Sequence, residues 1–154
     1  PQLDRLGLRE RELMLLRAHL TFGSGIILCT GPTGSGKTTL LHGCLAELLD
    51  PTKSIITLED PVERTIKGAA QIAADFSDPE RISQILAAVL RQDPDVLLLG
   101  EIRDHASART AAASTLAGRL VLSTIHADSS TAIPARLLSL GLNDELLRSL
   151  SGLA

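Results

Sequence analysis

Ile26-Ile27-Leu28-Cys29-Thr30-Gly31-Pro32-Thr33-Gly34-Ser35-Gly36-Lys37-Thr38-Thr39-Leu40-Leu41 joins an apolar run to a glycine-rich turn and then to a helical pattern. The run Ile26–Cys29 has the length and composition of a buried parallel strand. The turn Gly31–Thr38 fits G-x-x-x-x-G-K-[ST] at every fixed position. Glycines let backbone N–H groups turn inward and approach phosphate oxygens with no Cβ in the way. A helix beginning near Gly36 and running to Leu49 points its positive end at the same anion. Lys37 supplies a point charge to the β- and γ-phosphates, and the Thr38 hydroxyl is a hard oxygen ligand for Mg²⁺. The strand before and the helix after give the motif its required context. The expected nucleotide-binding set is Gly31, Pro32, Thr33, Gly34, Ser35, Gly36, Lys37, Thr38 and Thr39.

Outward from this loop the chain alternates strands with helices. Upstream, Leu8–Leu20 places Leu13, Leu16 and Leu20 among charges, an amphipathic helix ended by Gly23-Ser24-Gly25. Downstream, Ser54–Leu58 is a second strand, rich in β-branched residues. Pro61 bars the helical conformation at Asp60. A short strand is expected around Gln71. Ser77 or Asp78 can cap a helix that begins with Pro79 and Glu80 and runs to Arg91. Val96–Leu99 is a third buried strand, and Asp104 can cap the Ala-rich helix His105–Ala117. Leu120–Ile125 is a fourth strand, followed by helical stretches at Thr131–Ser139 and Asn143–Leu150. This alternation predicts an α/β fold, a mostly parallel sheet flanked by helices.

Open parallel sheets bind ligands at the carboxyl ends of their strands. Three polar clusters fall at such ends: Glu59-Asp60-Pro61-Val62-Glu63 after the second strand, Gly100-Glu101-Ile102-Arg103-Asp104 after the third, and His126-Ala127-Asp128 after the fourth. Glu101 follows an apolar run in the manner of a Walker B strand. Many P-loop enzymes carry the metal-holding Asp one place earlier, where this chain has Gly100, so Glu101 is expected to serve Mg²⁺. Glu59 could orient and deprotonate the attacking water, or it could be paired with an arginine. Glu101 could instead pair with Arg103 or Arg91. His126 could hydrogen-bond the γ-phosphate.

Composition limits the alternatives. The chain has 154 residues and a formal net charge of −3, with 44% hydrophobic and 21% charged residues. Its mean hydropathy is +0.20. These values fit one folded domain. The only aromatics are Phe22 and Phe76. An acidic balance and a lack of stacking faces weigh against a nucleic-acid motor. Cys29 and Cys44 form no C-x-x-C pair and read as buried small hydrophobes in a reducing setting. No apolar run is long enough to cross a bilayer, and no signal peptide opens the chain. Pro1 is not a native start, so residues 1–154 read as an excised nucleotide-binding domain.

The four motifs together resemble the secretion ATPase superfamily, most closely its GspE/PulE branch. The resemblance covers the whole chain. It rests on the Walker A loop, on Leu58-Glu59-Asp60-Pro61-Val62-Glu63, on Arg91-Gln92-Asp93-Pro94-Asp95 with Gly100-Glu101-Ile102-Arg103-Asp104, and on Leu122-Ser123-Thr124-Ile125-His126. It implies a RecA-like core that hydrolyses ATP with Mg²⁺ and drives type II secretion or type IV pilus assembly by moving pilins or pseudopilins. By position, Glu59 becomes the general base, Thr38 and Glu101 serve the metal, and His126 and Arg103 join the catalytic set. Family members form cytoplasmic hexamers that dock on inner-membrane platform proteins, and their N-terminal domain, absent here, supplies arginines to the nucleotide. The stretch Ala127-Asp128-Ser129-Ser130 departs from the usual Thr-Asn-Asp-Ala and drifts toward the VirB11/CpaF branch. A RecA-like nucleic-acid translocase is a competing reading. A small-molecule kinase would need a lid, and no arginine-rich insertion supplies one.

Overall fold

The apolar runs become the strands of one parallel sheet in a computed structural model that describes residues 2–151. The strands are β1 (Gly25–Cys29), β2 (Ile55–Glu59), β3 (Ala70–Ala73), β4 (Val96–Ile102) and β5 (Leu120–Ile125), in the spatial order β1-β5-β4-β2-β3. Every pairing is parallel. β2, β4 and β5 lie inside the sheet, which explains why they read as continuous apolar runs. β1 and β3 form its edges.

Successive side chains of a strand point to opposite faces, and the two faces carry separate cores. Leu97, Leu99, Val121 and Ile125 pack with Ile82, Leu86 and Val89 of α3 (Pro79–Arg91) and with Ala108, Ala111 and Ala112 of α4 (His105–Leu116). Leu137 of α5 (Ile133–Ser139) and Leu150 of α6 (Asp144–Ser151) close that side. On the other face Val96, Leu98, Leu120 and Leu122 meet Leu41, Cys44, Leu45 and Leu48 of α2 (Lys37–Leu48). Leu20 of α1 (Glu10–Phe22) and Leu3 of a short 3₁₀ turn complete it. Leu13 and Leu16 are half-buried against this second core. The result is a helix–sheet–helix sandwich.

The expected caps are present. Asp78 Oδ1 accepts from Arg81 N at 3.0 Å and Asp104 Oδ1 from Ser107 N at 2.8 Å. Each satisfies a backbone donor that a helix start leaves unpaired.

Several boundaries move. The phosphate-loop helix begins at Lys37, because Gly36 (φ 90°) is left-handed and serves as its N-cap. Glu59 and Glu101 lie within β2 and β4 rather than beyond them. β4 carries a register irregularity against β5 between Leu99 and Ile102, which lets it run past its apolar stretch. The stretch expected as one helix at Thr131–Ser139 is a 3₁₀ turn, Ser130–Ala132, followed by α5. Cys44 is buried as expected, but Cys29 is only half-buried because β1 is an edge strand.

Candidate nucleotide site

The sheet order decides what can meet at its carboxyl edge. β5 lies between the strand that feeds the phosphate loop and the strand that carries Glu101. The ends of β2, β4 and β5 therefore converge beside the start of α2. A cleft of about 450 Å³ opens there, and Gly34, Lys37, Thr38, Glu59, Glu101 and His126 are among its walls. Thr33, Gly36, Thr39 and Arg103 line it as well. A second cleft, of about 520 Å³, lies across the loop. It is walled by Leu6, Leu8, Leu28, Cys29, Ser35 and Leu40, with Gly36, Lys37 and Thr39 on the rim it shares with the first.

The loop has the form of a cradle for an anion. Gly34 (φ 79°) and Gly36 (φ 90°) hold backbone conformations that L side chains rarely adopt. Lys37 Nζ donates to Gly31 O at 2.7 Å and to Pro32 O at 2.8 Å, using donors that a phosphate would take. Burial pushes the Cys29 thiol up, against an opposing pull from Lys37.

Glu59 is 3% exposed, and among the described residues no arginine pairs with it. Its Oε2 accepts from His42 Nε2 at 2.9 Å, and its Oε1 from Thr57 Oγ1 at 2.7 Å and Gln71 Nε2 at 3.0 Å. Gln71 also donates to Arg64 O at 2.9 Å and accepts from Ile66 N at 2.6 Å, tying the 60–69 loop to the same network. A carboxylate offers about four lone-pair directions. Three are filled, and the side chain still reaches the cleft wall.

Glu101 does pair with Arg103: Nε donates to its Oε2 at 2.5 Å. His126 Nε2 lies 3.1 Å from the other oxygen. The Arg103 guanidinium also sits 5.5 Å from the centre of the Phe76 ring, a cation–π contact that fixes its place. Arg91, the other candidate partner, is exposed at the end of α3. At the mouth of β5, Thr124 Oγ1 donates to Gly100 O at 2.7 Å. Thr30 Oγ1 donates to Ala127 O at 2.8 Å and accepts from Ala127 N at 3.2 Å.

Sequence reasoning missed His42, Thr57, Gln71 and Phe76. His42 left a faint signal. It stands four residues after Thr38, hence on the same helix face, and it is a polar residue in the apolar run Leu40-Leu41-His42-Gly43-Cys44-Leu45.

The residues fit a hard cation beside a nucleotide. The Thr38 hydroxyl and the Glu101 carboxylate both line the cleft, and Mg²⁺ in such sites takes one or two protein oxygens and draws its other ligands from phosphate and water. Among the described residues no three or more His, Cys, Asp or Glu side chains form a metal cluster of their own.

A glycine cradle at the mouth of a parallel sheet, faced by acids from neighbouring strand ends, defines a RecA-like P-loop nucleotide-binding domain. The chain belongs to the Type II/IV secretion system protein family, whose model matches residues 2–154. It is 43% identical over 147 residues to type II secretion system protein E of Pseudomonas aeruginosa, covering 96% of this chain and 29% of that protein. It is 45% identical over 145 residues to the Xanthomonas campestris protein of the same name, covering 94% of this chain and 26% of that one. The chain thus spans under a third of the length of these relatives. Among solved structures it resembles the pilus retraction motor PilT with bound ADP, at a TM-score of 0.74 and 31% identity, over 96% of this chain and 43% of that one. The Legionella pneumophila ATPase DotB superposes with a TM-score of 0.75 at 26% identity, over 97% of this chain and 42% of that one.

Proposed function

We propose that this domain hydrolyses ATP to ADP and phosphate, with Mg²⁺, as the motor of a type II secretion or type IV pilus assembly machine. The observation that carries the reading is the single cleft shared by Lys37, Thr38, Glu59, Glu101 and His126. The loop amides and Lys37 hold the β- and γ-phosphates. The apolar walls of the second cleft, Leu6, Leu8, Leu28 and Leu40, suit the flat face of the base. Thr38 and Glu101 hold the metal, which when bound neutralises phosphate charge. His126 reaches the γ-phosphate from the end of β5. Arg103 adds positive charge beside Glu101.

Glu59 orients the attacking water and takes its proton through the lone-pair direction its three donors leave free. Phosphoryl transfer runs through a loose transition state, so positioning matters more than base strength. A carboxylate held by three hydrogen bonds is well placed for that task. The relatives are components of secretion systems by name. By analogy the whole protein assembles as a hexamer and docks on inner-membrane platform proteins, with further cationic contacts from an N-terminal domain. Among the described residues no helix is long and apolar enough to cross a membrane.

The test is a pair of variants. Glu59→Gln keeps the shape but cannot take a proton, so it should bind fluorescent ATP normally and lose turnover. Lys37→Ala should lose ATP affinity or turnover by at least about tenfold, because a charged hydrogen bond to phosphate contributes about 1.5–3 kcal/mol. A Glu59→Gln protein with full turnover would remove the base from this reading. A Lys37→Ala protein with unchanged affinity and turnover would remove the site itself.

A further inference from the structure

A buried carboxylate must be matched by donors, because an unpaired charge in the interior costs several kcal/mol. Glu59 draws its donors from three elements: Thr57 on its own strand, Gln71 on the edge strand β3, and His42 on α2. Thr57 and Gln71 both serve Oε1. His42 alone among these donors serves Oε2. The His42 and Glu59 side chains are each 4% exposed, so water does not readily replace either partner. A carboxylate can only accept, so the His42 ring donates through Nε2–H.

The helix that carries His42 is the one that receives the phosphates. Gly36 caps it and Lys37 opens it. Thr38 faces the cleft, and His42 stands one turn further along the same face, turned to the end of β2. A rigid element therefore joins the phosphate cradle to one oxygen of Glu59. Without that link Glu59 is held on one oxygen only, and its carboxylate can swing about the Oε1 contacts.

We propose that His42 is a positioning residue for hydrolysis: it aims the Glu59 carboxylate and couples that aim to the helix holding the nucleotide. The inference rests on the reading of Glu59 as the base. It gives the fold a reason to place an imidazole in an otherwise apolar stretch. It also predicts that the loss of this bond acts on turnover and not on binding, since Lys37 and the loop amides are left in place.

Two amides test this in the intact protein. The Gln side-chain nitrogen reaches where His Nε2 sits, and the Asn nitrogen stops one methylene short. Both are neutral and smaller than imidazole, so neither overpacks the site, and thermal midpoints show whether each variant folds. Misplacing a catalytic group by about 1 Å can cost on the order of 100-fold. His42→Gln should therefore keep kcat within about threefold of wild type, and His42→Asn should lose at least about tenfold. KM for ATP and the affinity for a fluorescent ATP analogue should stay within about twofold in both, since uniform binding is untouched. Equal kcat for the two amides, or affinity that falls in step with kcat, would overturn the inference and leave His42 as packing. Glu59→Gln is measured alongside. If it retains turnover, the base reading falls and this inference with it. If it is inactive while His42→Asn turns over like wild type, only the role of His42 falls.

Discussion

Gly100 stands where many P-loop enzymes carry an aspartate, and the structure gives a steric reason for its absence here. A Cβ on Gly100 would lie 3.2 Å from Leu58 O and 3.5 Å from Glu59 Cα. Both atoms belong to the backbone of β2, an interior strand paired to β4 from Ile55↔Val96 to Leu58↔Leu99. Neither can rotate away as a side-chain end would. Gly100→Ala must therefore push two central strands apart by a few tenths of an ångström. Overpacking of this kind costs about 1–3 kcal/mol. The alanine returns about 0.5–1 kcal/mol by restricting the unfolded chain. The net loss is centred near about 1 kcal/mol, within a range of about 0–2.5 kcal/mol, and the central value lowers Tm by roughly 3 °C for a domain of this size. The crowded atom is Leu58 O, on the peptide bond that leads into Glu59, so a shift of β2 there carries Glu59 with it, and kcat should fall several-fold while affinity for an ATP analogue holds. Differential scanning calorimetry and a coupled ATPase assay read the two effects. A Tm equal to or above wild type would show that β2 and β4 yield at no cost, and the steric account of the missing aspartate would be wrong.

Two left-handed glycines and a buried cysteine give further tests. Gly141 (φ 90°) and Gly118 (φ 85°) are both left-handed, but a Cβ at Gly141 would fall 2.3 Å from His105 Nδ1 while one at Gly118 meets open space. Each alanine costs about 1–2 kcal/mol for its backbone. Urea unfolding should show Gly141→Ala as clearly the more destabilising, because it also displaces His105 from Leu140 O, and equal losses would refute that contact. Burial pushes the Cys44 thiol up to about 12, so the group is un-ionised throughout the neutral range. Iodoacetamide at pH 8 should leave Cys44 unmodified in the native protein and label it on unfolding, as read by peptide mass spectrometry, and rapid native labelling would contradict its burial.

What could be read in advance was local. The phosphate loop is legible because its backbone demands glycine at fixed places and its chemistry demands Lys37 and Thr38. The interior strands are legible because burial on both faces makes them mostly apolar, with Thr57, Ser123 and Thr124 as buried exceptions. Asp78 and Asp104 declare themselves as caps because a cap acts within three residues. The partners of Glu59 do not. His42 is 17 positions away and Gln71 is 12, and each meets the carboxylate only because α2 and β3 flank β2. A local eye therefore supplies an arginine for Glu59 that the fold does not bring. Arg103 is two residues from Glu101 in the same segment, and there the ion pair, an alternative to the metal role expected of Glu101, is present. Cys29 looks like a core residue by composition and is half-buried, since which strand forms an edge is settled by topology and not by its own sequence.

That edge has a mechanical meaning. β1 is a beam supported along one side only, by β5, with the phosphate cradle at its free end. The tip is fastened by the reciprocal Thr30–Ala127 bonds, just past the end of β5 and next to His126. A displacement at the mouth of β5 thus reaches the cradle through the last rungs of the β1–β5 ladder and the Thr30–Ala127 pair just beyond them. An edge strand of the domain thus carries its most exacting turn, and its stiffness is borrowed from a neighbour whose own end faces the cleft.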